Sequence, residues 1–298
     1  RICSAYEYET IGLLGTNLGI TDNDAIARLK FLCDDMGLDA IETGSALGLA
    51  AEAGKFAWGD EAGATALLKE IEAGTPLGVA LANGVVATAR FLGMDRIPAY
   101  KGQALPAHDP RAVKGTGMTY FTSPMGADHT AGLTYRLPKS KARQIENSLG
   151  AQIRSATCDA LGYCVNSIPG GRESVYPYFA ELMNARFDLS LTPEDIMEIG
   201  KQTLRDQLAF NRKAEFSKTD SNLPAFVREE AVNPTDAVFD VDEADVQNLW
   251  KGLDAFKETE KVWEVRIPPL PDVMLGAGVC RTMGSRIRDL KITKAFLV

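Results

Sequence analysis

Asp34-Asp35-Met36-Gly37-Leu38-Asp39 and Asp159-Ala160-Leu161-Gly162-Tyr163-Cys164 share one outline. Each places an acid three residues before a glycine, a bulky side chain directly after it, and then a residue able to bind a proton or a metal. Glycine takes the positive φ that ends a helix without strain, so the residues around it can turn toward a ligand instead of the core. One copy alone reads as a helix stop, because glycine after an apolar helical stretch is a common signal. Two copies that share the acid and the bulky residue, the second framed by Cys158 and Cys164, point to two similar ligand fragments held at two helix ends.

Both copies fall where helical patterns finish. Asp22 to Met36 reads as an amphipathic helix, capped by Asp22 or Asp24 and carrying Ile26, Leu29, Leu32 and Cys33 at helical spacing. Lys139 to Leu161 carries Ile145, Leu149, Ile153 and Leu161 on one stripe, weakened by Gly150. Between them the pattern predicts helices at about Ser45 to Ala53, Asp60 to Ala73 and Pro76 to Leu92, the last two stopped by Gly74 and Gly93. Thr192, followed by Pro193 and Asp195, opens a long helix through about Ala209, and another is expected at Asp242 to Phe256. Strand-like alternation is scarce, so the fold class is mainly α. The Pro- and Gly-bearing stretch from Arg96 to Gly117 reads as an irregular crossover, giving one helical domain at 1–97 and a second at 98–298, each with one hexapeptide.

At 298 residues and 45% hydrophobic content the chain can build the cores of two medium domains. A net charge of −8 without a Lys/Arg cluster argues against nucleic acid. The richest apolar stretch, Leu77 to Gly93, is broken by Asn83, Gly84 and Arg90, short of the roughly 20 clean residues a membrane span needs. No signal-peptide pattern follows Arg1, and an odd count of five cysteines without scaffold spacing argues for a reducing, cytoplasmic setting.

Few residues are equipped for chemistry. His108 and His129 are the only histidines. His129 sits in Gly126-Ala127-Asp128-His129, where small neighbours let a ligand approach; His108, in Ala107-His108-Asp109-Pro110, reads as a turn residue. Glu7 and Glu9 alternate about Tyr8, so an extended segment would point both to one side, and burial would raise the carboxyl pKa toward neutral, ready to hold a proton. Cys33 and Cys158 lie inside helical patterns and read as core.

The two hexapeptides resemble the paired D-x-x-G-L-[D/C] pterin-binding motifs of the tungsten-containing aldehyde:ferredoxin oxidoreductase family. The resemblance continues in order through Glu7-Tyr8-Glu9-Thr10, Leu14-Gly15-Thr16-Asn17, Cys33 to Gly44, Pro106 to Arg111, Thr122 to His129, Phe210-Asn211-Arg212 and Asp220 to Pro224. It implies two helical domains of that family's C-terminal type, a tungsten (or molybdenum) bis-pterin bound by Asp34, Gly37, Leu38, Asp39, Asp159, Gly162 and Tyr163, and proton handling by His129 with Glu9, or less favourably Glu7. It also implies oxidation of an aldehyde to a carboxylic acid, with electrons passed through a [4Fe–4S] cluster to ferredoxin, Cys164 being one of the cluster's ligands. The family's β-rich N-terminal domain and C-x-x-C-x-x-x-C segment would lie before Arg1, in a longer precursor or a companion subunit. On that reading the isolated chain retains little metal, and a homo-oligomer is left open. Met125 stands where the family commonly has Arg, Tyr163 where Leu is usual, and Tyr6 where Pro is. These departures support an alternative from another class, a non-catalytic helical scaffold that binds a partner chain.

Overall fold

The computed structural model describes residues 7–135, 143–169, 171, 174–215 and 223–257. Twelve α-helices and one two-stranded ribbon account for the regular structure among them, so the fold is mainly α as the sequence pattern indicates. The chain enters through α1 (Tyr8–Thr10), which runs on into a π-helical turn at Ile11–Gly15. Helix α2 (Asn23–Met36) is capped by Asp22, whose side chain accepts from the Asp24 amide, and ends at Gly37 in the left-handed region. Helix α3 (Ala40–Glu52) starts five residues earlier than its apolar pattern suggests, because Asp39 caps it through the Glu42 amide at 2.8 Å. The last residue of the first hexapeptide is thus the first cap of the next helix.

Helix α4 (Glu61–Ala73) matches expectation, with Asp60 as cap and Gly74 as stop. The single helix expected from Pro76 to Leu92 is two, α5 (Pro76–Ala82) and α6 (Gly84–Leu92). Gly84 sits at φ +88°, and a Cβ there would meet Glu42 Oε1 at 2.5 Å. The same carboxylate accepts from Val85 N–H at 2.8 Å and Ala104 N–H at 2.9 Å, so Glu42 caps α6 from α3 and ties both to the ribbon β1 (Ala99–Tyr100) and β2 (Gln103–Ala104).

Beyond the ribbon come α7 (Lys114–Thr122), α8 (Gln144–Ala160), α9 (Val175–Phe187), α10 (Pro193–Lys213), α11 (Phe226–Glu229) and α12 (Glu243–Asn248). The expected capping box opens α10 in full, with Thr192 and Asp195 bonded reciprocally. The start of the Lys139 pattern falls partly on 136–142, outside the described residues, and α8 begins at Gln144. The helix expected to reach Phe256 ends as α12 at Asn248 and passes into a 3₁₀ turn at Leu249–Gly252. Residues 258–298, with the Pro-rich tail and Cys280, lie outside the described set, as does Cys3.

Buried apolar side chains form three clusters. One joins Leu14, Leu29, Cys33, Leu47 and Leu68 of the first helices, and a small one joins Leu49, Val85, Ala89 and Ala104. The largest gathers Met118, Tyr120, Ile153, Phe179, Ile196, Phe239 and Leu249 from the later helices. Helix α7 is buried from Gly115 to Thr122, and its threonine hydroxyls are bonded, Thr119 to Ser148 and Thr122 donating to the Met118 carbonyl while accepting from Gln152 of α8.

Candidate functional site

Glu9 is the fixed point of the site. It is only 5% exposed, although it lies one turn from the start of the described chain. Gly12 permits this: a Cβ there would stand 2.3 Å from Ala107 Cβ, so only glycine lets the loop before α7 close over α1. The loop then places Ala107 N–H on Glu9 Oε2 at 2.6 Å and His108 Nδ1 on Oε1 at 2.7 Å. His129 Nδ1 comes to 3.7 Å from the same oxygen, beyond hydrogen-bond range, and is buried without a partner. The two imidazoles stack 5.4 Å apart at 19°, and the Tyr8 ring covers the His108 ring at 4.3 Å.

The loop is held from behind. Arg111 forks onto Asp109 at 2.9 and 2.7 Å, its Nη1 donates to the Glu230 carbonyl at 3.0 Å, and Tyr120 Oη donates to the His108 carbonyl at 3.1 Å. His129 opens a 3₁₀ turn capped by Asp128, whose side chain accepts from the Thr130 amide. Each ring is therefore set by its own backbone anchor.

Burial pushes the Glu9 carboxyl pKa up, but the hydrogen bonds from His108 and Ala107 and the nearby histidine charges outweigh it, and the net direction is down. This corrects the expectation that burial would raise it; Glu9 is the ionised partner of the cluster. Its stability contribution is accordingly present above the ordinary carboxylate range and lost as pH falls through the depressed folded value. The expectation that Glu7 and Glu9 share a side fails too, because Tyr8–Thr10 is helical and two residues at about 100° each lie on opposite faces. Glu7 is exposed, and its carboxylate accepts from the Thr10 hydroxyl at 2.7 Å.

Both hexapeptides end helices in the same way. At α2 the Leu38 amide donates to the Cys33 carbonyl at 2.8 Å and the Gly37 amide to Asp34 at 3.2 Å; at α8 the Tyr163 amide donates to Cys158 at 2.9 Å and Gly162 to Asp159 at 3.1 Å. Asp34 pairs with Lys30 one turn back, Asp39 caps α3, and Leu38 packs half-buried on the first cluster. At α8, desolvation and then the charge of Asp128 raise the Asp159 carboxyl pKa, although the residue as a whole stays exposed. Tyr163 lies edge-on to Phe179 at 5.4 Å and meets Tyr178 Oη at 3.2 Å, and Cys164 is a free, exposed thiol. The Asp128 charge that raises the Asp159 pKa belongs to the residue preceding His129.

Residues 3–251 match the model of a family described as aldehyde ferredoxin oxidoreductase, domains 2 and 3. The chain belongs to this aldehyde ferredoxin oxidoreductase family. It is 29% identical over 251 residues to the tungsten-containing aldehyde ferredoxin oxidoreductase of Pyrococcus furiosus and 30% identical to that of Thermococcus kodakarensis, covering 75% of this chain and 41% of each relative. It is 31% identical over 229 residues to the WOR-like subunit of an aliphatic sulfonate oxidoreductase of Pyrococcus furiosus, covering 69% of this chain and 34% of that subunit. The chain spans about two fifths of the aldehyde-oxidising relatives it matches.

Within this family framework the structure joins Glu9 and His129 and adds His108, which the sequence reading set aside as a turn residue. The available signal was that the chain has only two histidines and that both fall in family-like segments. For a metal–pterin group the described residues offer exposed glycines at the ends of α2 and α8 and the carboxylate of Asp159, which fits a large polar cofactor. They do not form a metal cage of their own: among the described residues no group of three His, Cys, Asp or Glu is arranged to hold an ion, and Cys164 is the one exposed free thiol. No helix among them is long and apolar enough to cross a membrane.

Proposed function

We propose that this chain supplies the helical part of an oxidoreductase that converts an aldehyde to a carboxylic acid at a tungsten (or molybdenum) bis-pterin centre. The observation that carries the reading is an ionised carboxylate buried beside two stacked imidazoles, one of them with a buried, unpartnered nitrogen. Such an arrangement holds and moves protons, and an unpartnered buried nitrogen is costly unless something binds there. When bound, the metal–pterin group supplies the two-electron redox chemistry that side chains lack.

Asp159, Gly162 and Tyr163 at one helix end and Asp34, Gly37, Leu38 and Asp39 at the other would hold the two pterins. The Asp159 carboxylate, raised in pKa by desolvation and then by the charge of Asp128, would accept from a pterin N–H. His129 would meet the reacting group through Nε2, while Glu9 supplies fixed negative charge 3.7 Å from its Nδ1. Cys164 would give one thiolate to a [4Fe–4S] cluster that passes electrons to ferredoxin, the other ligands coming from the remainder of the enzyme. The same reading divides the chain into helical domains at 1–97 and 98–298, supported by the separate apolar clusters of the early and late helices. It also treats the protein as cytoplasmic.

The test is anaerobic purification of the full-length enzyme and of His129→Ala. The variant should keep its pterin and tungsten content and lose at least about 100-fold in aldehyde oxidation; retained activity refutes the assignment of His129. Because one relative is named for aliphatic sulfonates, the wild type should be assayed on alkyl sulfonates beside aldehydes. Wild-type enzyme that carries neither metal nor activity would favour the partner-binding scaffold.

A further inference from the structure

The chain's two histidines meet over one carboxylate, and only one of them is bonded to it. We propose that His108 is a proton-accepting group of this site, working through Nε2, and that Glu9 is the residue that positions it. The tautomer follows from the hydrogen-bond geometry around an ionised Glu9; the reaction it serves rests on the aldehyde-oxidising reading above.

The assignment begins with where a hydrogen can be. Glu9 is ionised and a carboxylate only accepts, so the hydrogen in the 2.7 Å contact belongs to His108 Nδ1. A neutral imidazole protonated at Nδ1 keeps its lone pair on Nε2. No described hydrogen bond reaches that nitrogen, and the side chain is 15% exposed, so it is accessible but shielded. Everything else about the ring is fixed: Glu9 Oε2 is pinned by the Ala107 amide, the His108 carbonyl by Tyr120, and the ring faces by Tyr8 and His129. A base held by a carboxylate that is itself held is the arrangement general-base catalysis needs.

His129 differs: its Nδ1 stands 3.7 Å from the same carboxylate oxygen and 3.9 Å from Asp128 Oδ1, without a hydrogen bond to either. Of the two stacked rings, only His108 is held in one tautomer by Glu9. In the proposed reaction, His108 Nε2 takes a proton from the water whose oxygen bonds the carbonyl carbon. The N–H bond forms as the O–H bond breaks, the released pair becomes the new C–O bond, and the carbonyl π pair moves to its oxygen. Completing the oxidation would break the aldehyde C–H bond as the carbonyl re-forms, the hydrogen and its electron pair leaving as two electrons and a proton, with the metal–pterin centre of that reading as the two-electron acceptor.

Histidine-selective 15N labelling of the 298-residue chain gives two imidazoles to observe, and His129→Asn assigns them. At alkaline pH, His108 should read as protonated at Nδ1, with the lone pair on Nε2. In Glu9→Gln the amide oxygen keeps the Ala107 N–H, which turns the amide nitrogen toward His108 Nδ1 and should flip that ring to the Nε2–H form. Wild-type His108 found protonated at Nε2 overturns the proposal, as does a folded Glu9→Gln chain with an unchanged tautomer; if that variant does not fold, the wild-type spectrum decides. In the full-length holoenzyme, His108→Gln should lower kcat about 100-fold or more while KM changes little; an unchanged kcat removes the proton-accepting role. Wild-type enzyme inactive on aldehydes would defeat that role together with the functional reading, and the spectra would still judge Glu9 as the positioning residue.

Discussion

The ends of α2 and α8 have the same backbone and different side-chain fates. Both close with the same pair of hydrogen bonds around a left-handed glycine, Gly37 at φ +70° and Gly162 at φ +68°. Around the first, each polar member is occupied: Asp34 by Lys30, Asp39 by the start of α3. Around the second, no described hydrogen bond or ion pair engages the Asp159 carboxylate, and Cys164 is a free thiol. A helix stop explains the glycines in both places; only the second end keeps reactive groups unspent. An unpaired acid in the last turn of a helix also opposes the helix dipole, which is a cost retained without structural return.

Thiol chemistry should separate the two ends most widely. Cys33, in the last turn of α2, is buried, and desolvation pushes its thiol up to about 11. At pH 8 about one molecule in 1,000 carries the thiolate there, whereas Cys164 is exposed. Native-state alkylation followed by peptide mapping should label Cys164 at least about 100-fold faster than Cys33. Comparable rates would mean that the α2 end opens in solution, and the contrast would collapse.

Backbone cost should be the same at both ends. A Cβ added at Gly37 or Gly162 meets nothing within 4 Å, so Gly37→Ala and Gly162→Ala each carry only the left-handed penalty, about 1–2 kcal/mol. Thermal unfolding of the two variants should coincide; a much larger loss at one would reveal a contact the shared geometry lacks. The residue two beyond glycine should then divide them. Asp39→Ala removes a cap and costs about 1 kcal/mol, while Cys164→Ala should change stability by no more than a few tenths.

What the sequence made legible was local. Asp22 and Thr192 act as caps, and Gly37, Gly74 and Gly162 as stops, because each works within one turn of itself. What stayed hidden depends on partners far along the chain. The break at Gly84 is dictated by Glu42, and α7 survives two glycines because it is packed on all sides. Helix α9 lacks a side-chain cap and was not anticipated, and Glu9 became an inward-facing helical residue only because a loop 98 positions away bonds it. His108 was misread for the same reason: its partner lies 99 residues away.

The smallest effect concerns the two acids, and there the sign carries the information. Asp159 has a folded pKa above its ordinary value, so below the unfolded value of about 4 the group is protonated in both states and costs nothing. As pH rises from there through the raised folded value, the unfolded state releases its proton more readily and stability falls; above that window the penalty is constant. Asp159→Asn should therefore stabilise the chain at neutral pH, by less than about 1 kcal/mol because the group is well solvated, and the gain should vanish at acid pH. Asp34→Asn should do no such thing, since it gives up the Lys30 pair, worth about 0.3–0.5 kcal/mol on a helix surface. Urea denaturation of both variants near pH 7 and pH 3.5 checks this. Equal gains would mean that both acids merely oppose their helix dipoles, whereas a gain confined to Asp159 marks the α8 end as the one that maintains an unpaired acid for a ligand.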